Sequence, residues 1–269
     1  MPAPPQPPGD TTGRPTTPQR RSGCAQCGGT GFELVESPGG ITRARRCSCH
    51  DADQMTRALK ASGIPSRYLS CSFETFADLT DDLRLAKLQV MKFVEEYPIQ
   101  DAGLLLLGGC GVGKTHLAVS ALLSLMKDKG VDGLFVDFRD LLKEIQASYN
   151  SESGTTELAI LQPIFAAEVL VLDDLGATRM TEWVRDTLSH IISARYNERR
   201  VTVITSNMDD EELAAPRTDE RIRERPTLRD QIGDALRSRL YEMCSVVRVN
   251  ASDFRLTVRN TGLRTARRV

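Results

Sequence analysis

The sequence has no uninterrupted apolar run approaching the ~20 residues of a membrane-spanning helix, which excludes a bilayer-crossing apolar helix. Its N-terminus lacks the apolar core of a secretion signal, so the chain is expected in the cytoplasm. Net charge is nearly absent: 35 Lys and Arg face 36 Asp and Glu, leaving −1. A protein that coats nucleic acid through overall charge is therefore excluded, and only local basic patches remain. Residues 1–22 hold almost no apolar side chains and are rich in Pro and Thr. Such a stretch cannot bury enough surface to offset the cost of ordering and is expected to be a disordered tail. No internal repeat is present.

What is there fits one large α/β domain with a small appendage, in 269 residues of which 40% are hydrophobic. DADQMTRALKASGI, ending before Pro65, and DDLRLAKLQVMKFVEEY read as helices, the second through Leu83, Leu88, Met91 and Val94. Together they make residues 53–100 a helical linker. From residue 101 to 250, short apolar runs alternate with amphipathic segments. GLLLL (103–107), LFVDF (134–138), VLVL (169–172), VTVIT (201–205) and SVVRV (245–249) read as strands. Runs this apolar suit a parallel sheet covered on both faces.

GGCGVGKT, residues 108–115, fits G-x-x-x-x-G-K-[ST], the phosphate-binding Walker A pattern, with a strand entering it and a helix leaving it. Gly108, Gly109, Gly111 and Gly113 let the backbone curl past Cys110 and Val112, so that successive N–H groups point at phosphate oxygens. The helix N-terminus adds the positive end of its dipole. Lys114 would reach the β- and γ-phosphates and the Thr115 hydroxyl would coordinate Mg²⁺. Cys110 reads as a tolerated small residue, and His116, closing the loop, as a local packing or capping group.

In VLVLDDLG (169–176) two carboxylates emerge at the C-terminal end of a buried strand, where open α/β sheets bind ligands. Asp173 would hold Mg²⁺ and Asp174 would orient the attacking water. VTVITSN ends in Asn207, whose neutral amide can hydrogen-bond a γ-phosphate or a water. GDALRSRLYEMC (233–244) offers Arg237 and Arg239, either able to stabilise a transferring phosphoryl group. A longer-than-needed segment at 139–162 carries Lys143 and Tyr149, a cation and an aromatic able to contact the phosphate and base of a nucleic-acid strand, with an ordinary helix and loop as the alternative. The charged RTDERIRERPTLRD (217–230) reads as a solvated loop.

Residues 23–52 carry CAQC (24–27) and CSC (47–49) with His50 following. Cys24, Cys27, Cys47 and Cys49, or His50 in place of Cys49, have the donor chemistry of a tetrahedral Zn²⁺ site in a ribbon-like module. Metal would also let a segment this short fold despite its small core. Arg43, Arg45 and Arg46 beside it form a basic run. Cys71 and Cys244 read as buried small apolar residues.

The ordered set GGCGVGKTHLA, DDLG, TSN and RSRLYEM resembles the AAA+ ATPases of the DnaC/DnaI helicase-loader and IstB group, and IPSRYLSCSFETF (64–76) is similar to that group's lead-in. The resemblance spans about residues 55–250. It implies an AAA+ P-loop NTPase core with a parallel sheet, ATP and Mg²⁺ as cofactors and an ATP-dependent homo-oligomer. The cysteine pairs add a small N-terminal zinc-ribbon-like module with Zn²⁺, and the chain departs from the family's pattern in offering little or no lid before a C-terminal tail at 251–269. Arg239 best matches the arginine finger acting on a neighbour's ATP, with Arg237 second. The implied work is ATP-dependent loading of a replicative DNA helicase onto single-stranded DNA, the N-terminal module gripping the helicase. An IstB-like ATPase assisting DNA transposition is the alternative, a P-loop kinase for a small substrate or an interaction module without turnover the remoter ones.

Overall fold

A computed structural model describes residues 24–37, 41–149, 156–208, 210 and 227–256. The Pro-rich tail at 1–22, most of the charged loop at 217–230 and the residues from 257 onward lie outside the described residues. The chain divides into two compact units, 1–54 and 55–269.

In the first unit, β1 (Phe32–Ser37) and β2 (Ile41–Arg46) pair antiparallel, with Phe32 opposite Arg46 and Leu34 opposite Ala44. Helix α1 (Ser48–Ala61) begins at Ser48, ahead of the Asp51 start that the sequence pattern suggests. Cys49 therefore belongs to its first turn.

The second unit is built on a five-stranded sheet of β3 (Gly103–Leu107), β4 (Gly133–Asp137), β5 (Val169–Leu175), β6 (Val201–Ser206) and β7 (Cys244–Arg248). All neighbours run parallel, in the order β4–β5–β6–β3–β7. Every residue of β3 and of β6 is buried, as all-apolar runs require when both faces are covered. Strand alternation splits β3 between two cores: Leu104 and Leu106 join one, Leu105 and Leu107 the other. On the first face lie α2 (Asp81–Glu96) and α3 (Lys114–Lys129). On the second lie α4 (Phe138–Ser148), α5 (Glu157–Ala166), α6 (Glu182–Asn197), the short α7 (Leu228–Ile232) and α8 (Asp234–Met243).

The stripe assigned to the helix at 81–97 needs correction. Its buried residues are Leu83, Ala86, Val90 and Phe93, spaced three, four and three apart, while Leu88 is 55% and Met91 40% exposed. A second set of apolar residues runs along the solvent side, and counting apolar positions alone cannot tell the two apart. Thr80 caps this helix by accepting from the Leu83 N–H at 3.3 Å. Ile64, Phe73, Phe76 and Tyr97, from the stretch read as a linker, join the same core as the sheet.

One polar group holds the second core's rim. Arg195 of α6 is completely buried, and its partners among the described residues are a hydroxyl and backbone carbonyls. Its Nε donates to Thr202 Oγ1 at 2.9 Å, Nη1 to the Ile164 and Ala167 carbonyls at 2.8 and 2.9 Å, and Nη2 to the Val201 carbonyl at 2.6 Å. Burial, with Arg200 nearby, pulls its pKa down to about 10. The guanidinium thus ties the end of α5 to the start of β6. Arg195→Ala leaves three carbonyls without these donors and is expected to cost about 3–5 kcal/mol. A urea titration should show a lowered midpoint with an unchanged slope.

Candidate nucleotide site and cysteine cluster

The strand order decides where the site's charges meet. β6 lies between β3, which feeds the Gly108–Thr115 loop, and β5, which ends in Asp173 and Asp174. The loop, the acids and the end of β6 therefore open on one edge of the sheet, the position where parallel α/β sheets bind ligands.

The loop's geometry needs its glycines. Gly111 (φ +74°) and Gly113 (φ +103°) are left-handed. A Cβ at Gly113 would come within 2.7 Å of the Phe76 ring, and one at Gly111 within 2.0 Å of the Asp253 carboxylate. Lys114 opens α3 and folds back into the loop, donating from Nζ to the Gly108 carbonyl at 2.9 Å and the Gly109 carbonyl at 2.7 Å. Burial lowers the Lys114 pKa, opposed by Cys110, Asp174 and Asp173. The adjacent Thr115 hydroxyl donates to Asp173 Oδ1 at 2.9 Å.

Asp173 also accepts from the Thr205 hydroxyl at 2.6 Å. Burial raises its pKa, the Thr205 and Thr115 hydroxyls oppose the rise, and the neighbouring Asp174 and Asp137 add to it. A buried carboxylate and a hydroxyl on one spot are hard oxygen donors of the kind Mg²⁺ takes, and the charge of such an ion would offset the burial. The register of β5 against β6 shifts between Leu172 and Leu175. That irregularity turns Asp174 out of the strand at φ +60°, a conformation that short Asp tolerates better than most side chains. Thr205 Oγ1 accepts from the Asp174 N–H at 2.9 Å, and Arg139 at the start of α4 reaches the Asp174 carboxylate at 3.7 Å.

These groups surround an open cavity of about 700 Å³ whose wall includes Arg67, Tyr68, Lys114, Asp174, Asn207 and Arg255. Asn207 lies across the loop from Cys110, 3.9 Å from Nδ2 to Sγ, and the Cys110 side chain is exposed. A smaller, mostly apolar pocket of about 160 Å³ adjoins it between Phe76, Leu83, Val112 and Phe254. His116 packs edge-on to Phe76 and reaches the Ser72 carbonyl at 2.9 Å and Thr75 Oγ1 at 3.3 Å.

The arginines of α8 stand apart. Among the described residues, neither is part of the cavity wall. Arg239 donates to Ser193 Oγ of α6 at 2.5 Å. Arg237 makes a two-pronged pair with Asp210, Nε to Oδ2 at 2.9 Å and Nη2 to Oδ1 at 3.0 Å. Lys143 pairs with Asp140 at 2.8 Å, and the Tyr149 hydroxyl meets Glu157 at 2.5 Å.

Thr205, Arg139, Arg67 and Arg255 received no role from the sequence. Thr205 carried one available signal, a hydroxyl within an otherwise apolar strand end. Arg67 sits in the IPSRY stretch, whose pattern is visible but whose place in space is not. Arg139 and Arg255 carry no sequence signal, since arginines after strands are common.

In the first unit the Sγ atoms of Cys24, Cys27, Cys47 and Cys49 all lie within 4.8 Å of one another. Cys24 is 3.7 Å from Cys47 and Cys27 is 3.4 Å from Cys49. Tetrahedral Zn²⁺ with ligands at ~2.3 Å separates its sulfurs by roughly 3.8 Å, so the cluster fits the ion. Burial opposes the Cys27 thiolate, but hydrogen bonds, including the Gly31 N–H at 3.3 Å, bring its pKa down to about 6. Cys49 is pushed up to about 12, first by Cys27 and then by burial. Four thiols this close cannot all ionise without a cation between them. The His50 side chain lies outside the described residues.

The profile of the family described as "IstB-like ATP binding protein" matches residues 44–262. The chain is 28% identical over 158 residues to the replicative helicase loader DnaC of Buchnera aphidicola subsp. Schizaphis graminum, across 59% of this chain and 64% of that one. It therefore spans slightly less than two thirds of that relative's length. To the replicative helicase loader DnaC of Escherichia coli K12 it is 26% identical over 187 residues, 68% of this chain and 76% of the other. A crystal structure of the DnaC helicase loader superposes with a TM-score of 0.58 at 32% identity, covering 69% of this chain and all of that one. No helix among the described residues is long and apolar enough to cross a membrane.

The buried Asp173 carboxylate yields a prediction of opposite signs. Because its folded pKa is raised, the stability it contributes is present at acid pH and lost as the pH rises through that pKa. Asp173→Asn keeps an oxygen for both hydroxyls and removes the charge. Its nucleotide-free melting temperature at neutral pH should equal or exceed that of the parent. With Mg²⁺ and nucleotide at ~100 times Kd the parent should gain about 2.7 kcal/mol, and the variant should lose the magnesium-dependent part. Thermal melts with and without each ligand measure both.

Proposed function

The chain belongs to the family of IstB-like ATP binding proteins, and from that membership we propose that it is an ATP-hydrolysing loader of a replicative DNA helicase onto single-stranded DNA. The observation that carries the reading is the agreement between relatives named as replicative helicase loaders and the likeness to a solved loader at 32% identity. The arrangement at the sheet edge supports the chemistry. Lys114 and the loop amides neutralise the triphosphate, and Thr115 with Asp173 supply oxygens for Mg²⁺. Held by those oxygens, Mg²⁺ would supply positive charge to offset the charge that develops on the transferring phosphoryl group. Asp174, placed by its turned-out backbone and Arg139, orients water toward the γ-phosphate, and Asn207 supplies a neutral donor beside it. The apolar pocket by Phe76 and Phe254 suits the base.

Arg239 is exposed on α8, away from the chain's own cavity, and a guanidinium so placed acts on a neighbouring copy's nucleotide. That assignment makes hydrolysis depend on assembly. Asp140 and Glu157 hold Lys143 and Tyr149 in this state, and single-stranded DNA would compete for both. The cysteine module, folded around Zn²⁺, is the part that grips the helicase. Assistance of transposition is the second reading, favoured by the IstB-like family profile itself.

Two measurements test the core of the proposal. Lys114→Ala should abolish ATP binding. Arg239→Ala should bind ATP normally yet lose oligomer-dependent hydrolysis by about 10³-fold or more, the scale of an arginine finger. Full activity of Arg239→Ala in assembled complexes would reject the finger. For partner choice, capture of the cognate replicative helicase in ATP, ADP and nucleotide-free buffers should succeed, and failure in all three would favour the transposition reading.

Zinc removal separates the two units. Chelation, or mild acid that protonates the thiols, should abolish helicase capture while ATP affinity stays within about twofold. Loss of both, or of neither, would remove the module from docking.

A further inference from the structure

We infer that Arg237 is a positioning residue: its pair with Asp210 couples the nucleotide-facing end of β6 to the helix that aims Arg239 at the neighbouring copy. This rests on the trans-acting role proposed for Arg239 and adds how one site's nucleotide sets the finger offered to the next.

The geometry is continuous. Asn207 stands in the cavity wall directly after the buried Ser206, whose hydroxyl accepts from the Met208 N–H at 3.1 Å. Met208 is buried in the second core, and Asp210 follows with its side chain only 2% exposed. Three residues past the cavity, the chain is thus pinned rather than loose. What pins it is α8. Arg237, 14% exposed, grips both Asp210 oxygens, the Tyr241 hydroxyl donates to Asp210 Oδ2, and the Arg237 guanidinium lies 4.6 Å from the centre of the Tyr241 ring.

Helical spacing separates the tasks of the two arginines. Arg237 and Tyr241 are four apart and share a face, whereas Arg239 points about 200° round from Arg237. Leu236 and Leu240 bury the intervening side in the second core. Arg237 therefore faces its own chain's β6 end, while Arg239 rests on the Ser193 hydroxyl at the exposed surface. A shift of Asn207 toward or away from a γ-phosphate moves Asp210, and the two-pronged grip carries that shift into α8. A guanidinium and a carboxylate in this arrangement transmit orientation as well as attraction, because both oxygens are held.

Mixed assemblies test the coupling, because they separate the copy that offers the finger from the copy that uses it. Arg239→Ala subunits serve as acceptors, with intact sites and no finger. Asp174→Asn subunits serve as donors, which bind ATP, turn none over and keep Arg239. Hydrolysis by the one-to-one mixture, with single-stranded DNA present, is the reference. Adding Arg237→Gln to the donor should lower the mixture's hydrolysis about 100-fold, the scale of an ångström of misplacement. Adding it to the acceptor, whose Arg239 is already gone and whose Asn207 is still held through Ser206 and Met208, should lower the rate far less. Asp210→Asn should show the same asymmetry, and Arg237→Lys, which keeps the charge without the fork, serves if the Gln variant does not fold. Equal loss on both sides marks a merely structural pair and overturns the inference, as does no loss on the donor side. If the parent mixture shows no hydrolysis above its components, the trans finger itself is wrong and the coupling falls with it.

Discussion

The site depends on one carboxylate kept inside the protein. Asp173 is buried at the end of β5 and retains its place through two hydroxyls, Thr115 from the loop and Thr205 from β6. Those three residues come from three separate elements, and only the β3–β6–β5 order brings their ends to one point. The same Thr205 oxygen accepts from the Asp174 N–H, so the strand that separates the two motifs also fixes the second acid. A buried carboxylate is costly in free energy even with hydroxyl partners. Any ligand that brought positive charge to it would recover part of that cost, so stability at this edge of the sheet is linked to binding.

Much of this was legible from local patterns. The five apolar runs predict the five strands because burial on both faces leaves no room for alternation, and GGCGVGKT predicts its own backbone because Gly111 and Gly113 adopt φ values that other residues resist. Patterns failed where two answers shared one composition. Helix α2 carries apolar residues on two sides, and only packing reveals that Ala86 and Val90, rather than Leu88 and Met91, face the sheet. Long-range polar partners were equally hidden. Nothing in the spacing of Arg195, Arg139 or Asp210 distinguishes them from surface charges, because their partners lie up to tens of residues away in the chain.

The arginines of RSRLYEM show how adjacent positions acquire different work. Read as a string, Arg237 and Arg239 are interchangeable cations two residues apart. On a helix that separation places them on opposite sides, so one must face the protein when the other faces out. Asp210 decides which, and it could not have been chosen from the sequence because Asp209 beside it has the same chemistry.

The segment after β7 contributes to the cavity. Val249 N–H donates to the Leu107 carbonyl at 2.8 Å, extending the sheet's hydrogen bonding past the strand itself. The Phe254 N–H then donates to the Gly111 carbonyl at 3.2 Å, so this stretch lies directly on the phosphate loop. The absence of a side chain at Gly111 is what lets Asp253 approach so closely. Phe254 consequently borders both the polar cavity and its apolar annex, and Arg255 enters the polar wall. The few residues from Val249 to Arg255, ending in a helical turn, thereby close the side of the site opposite β4, and the missing side chain at one loop glycine is the condition for that closure.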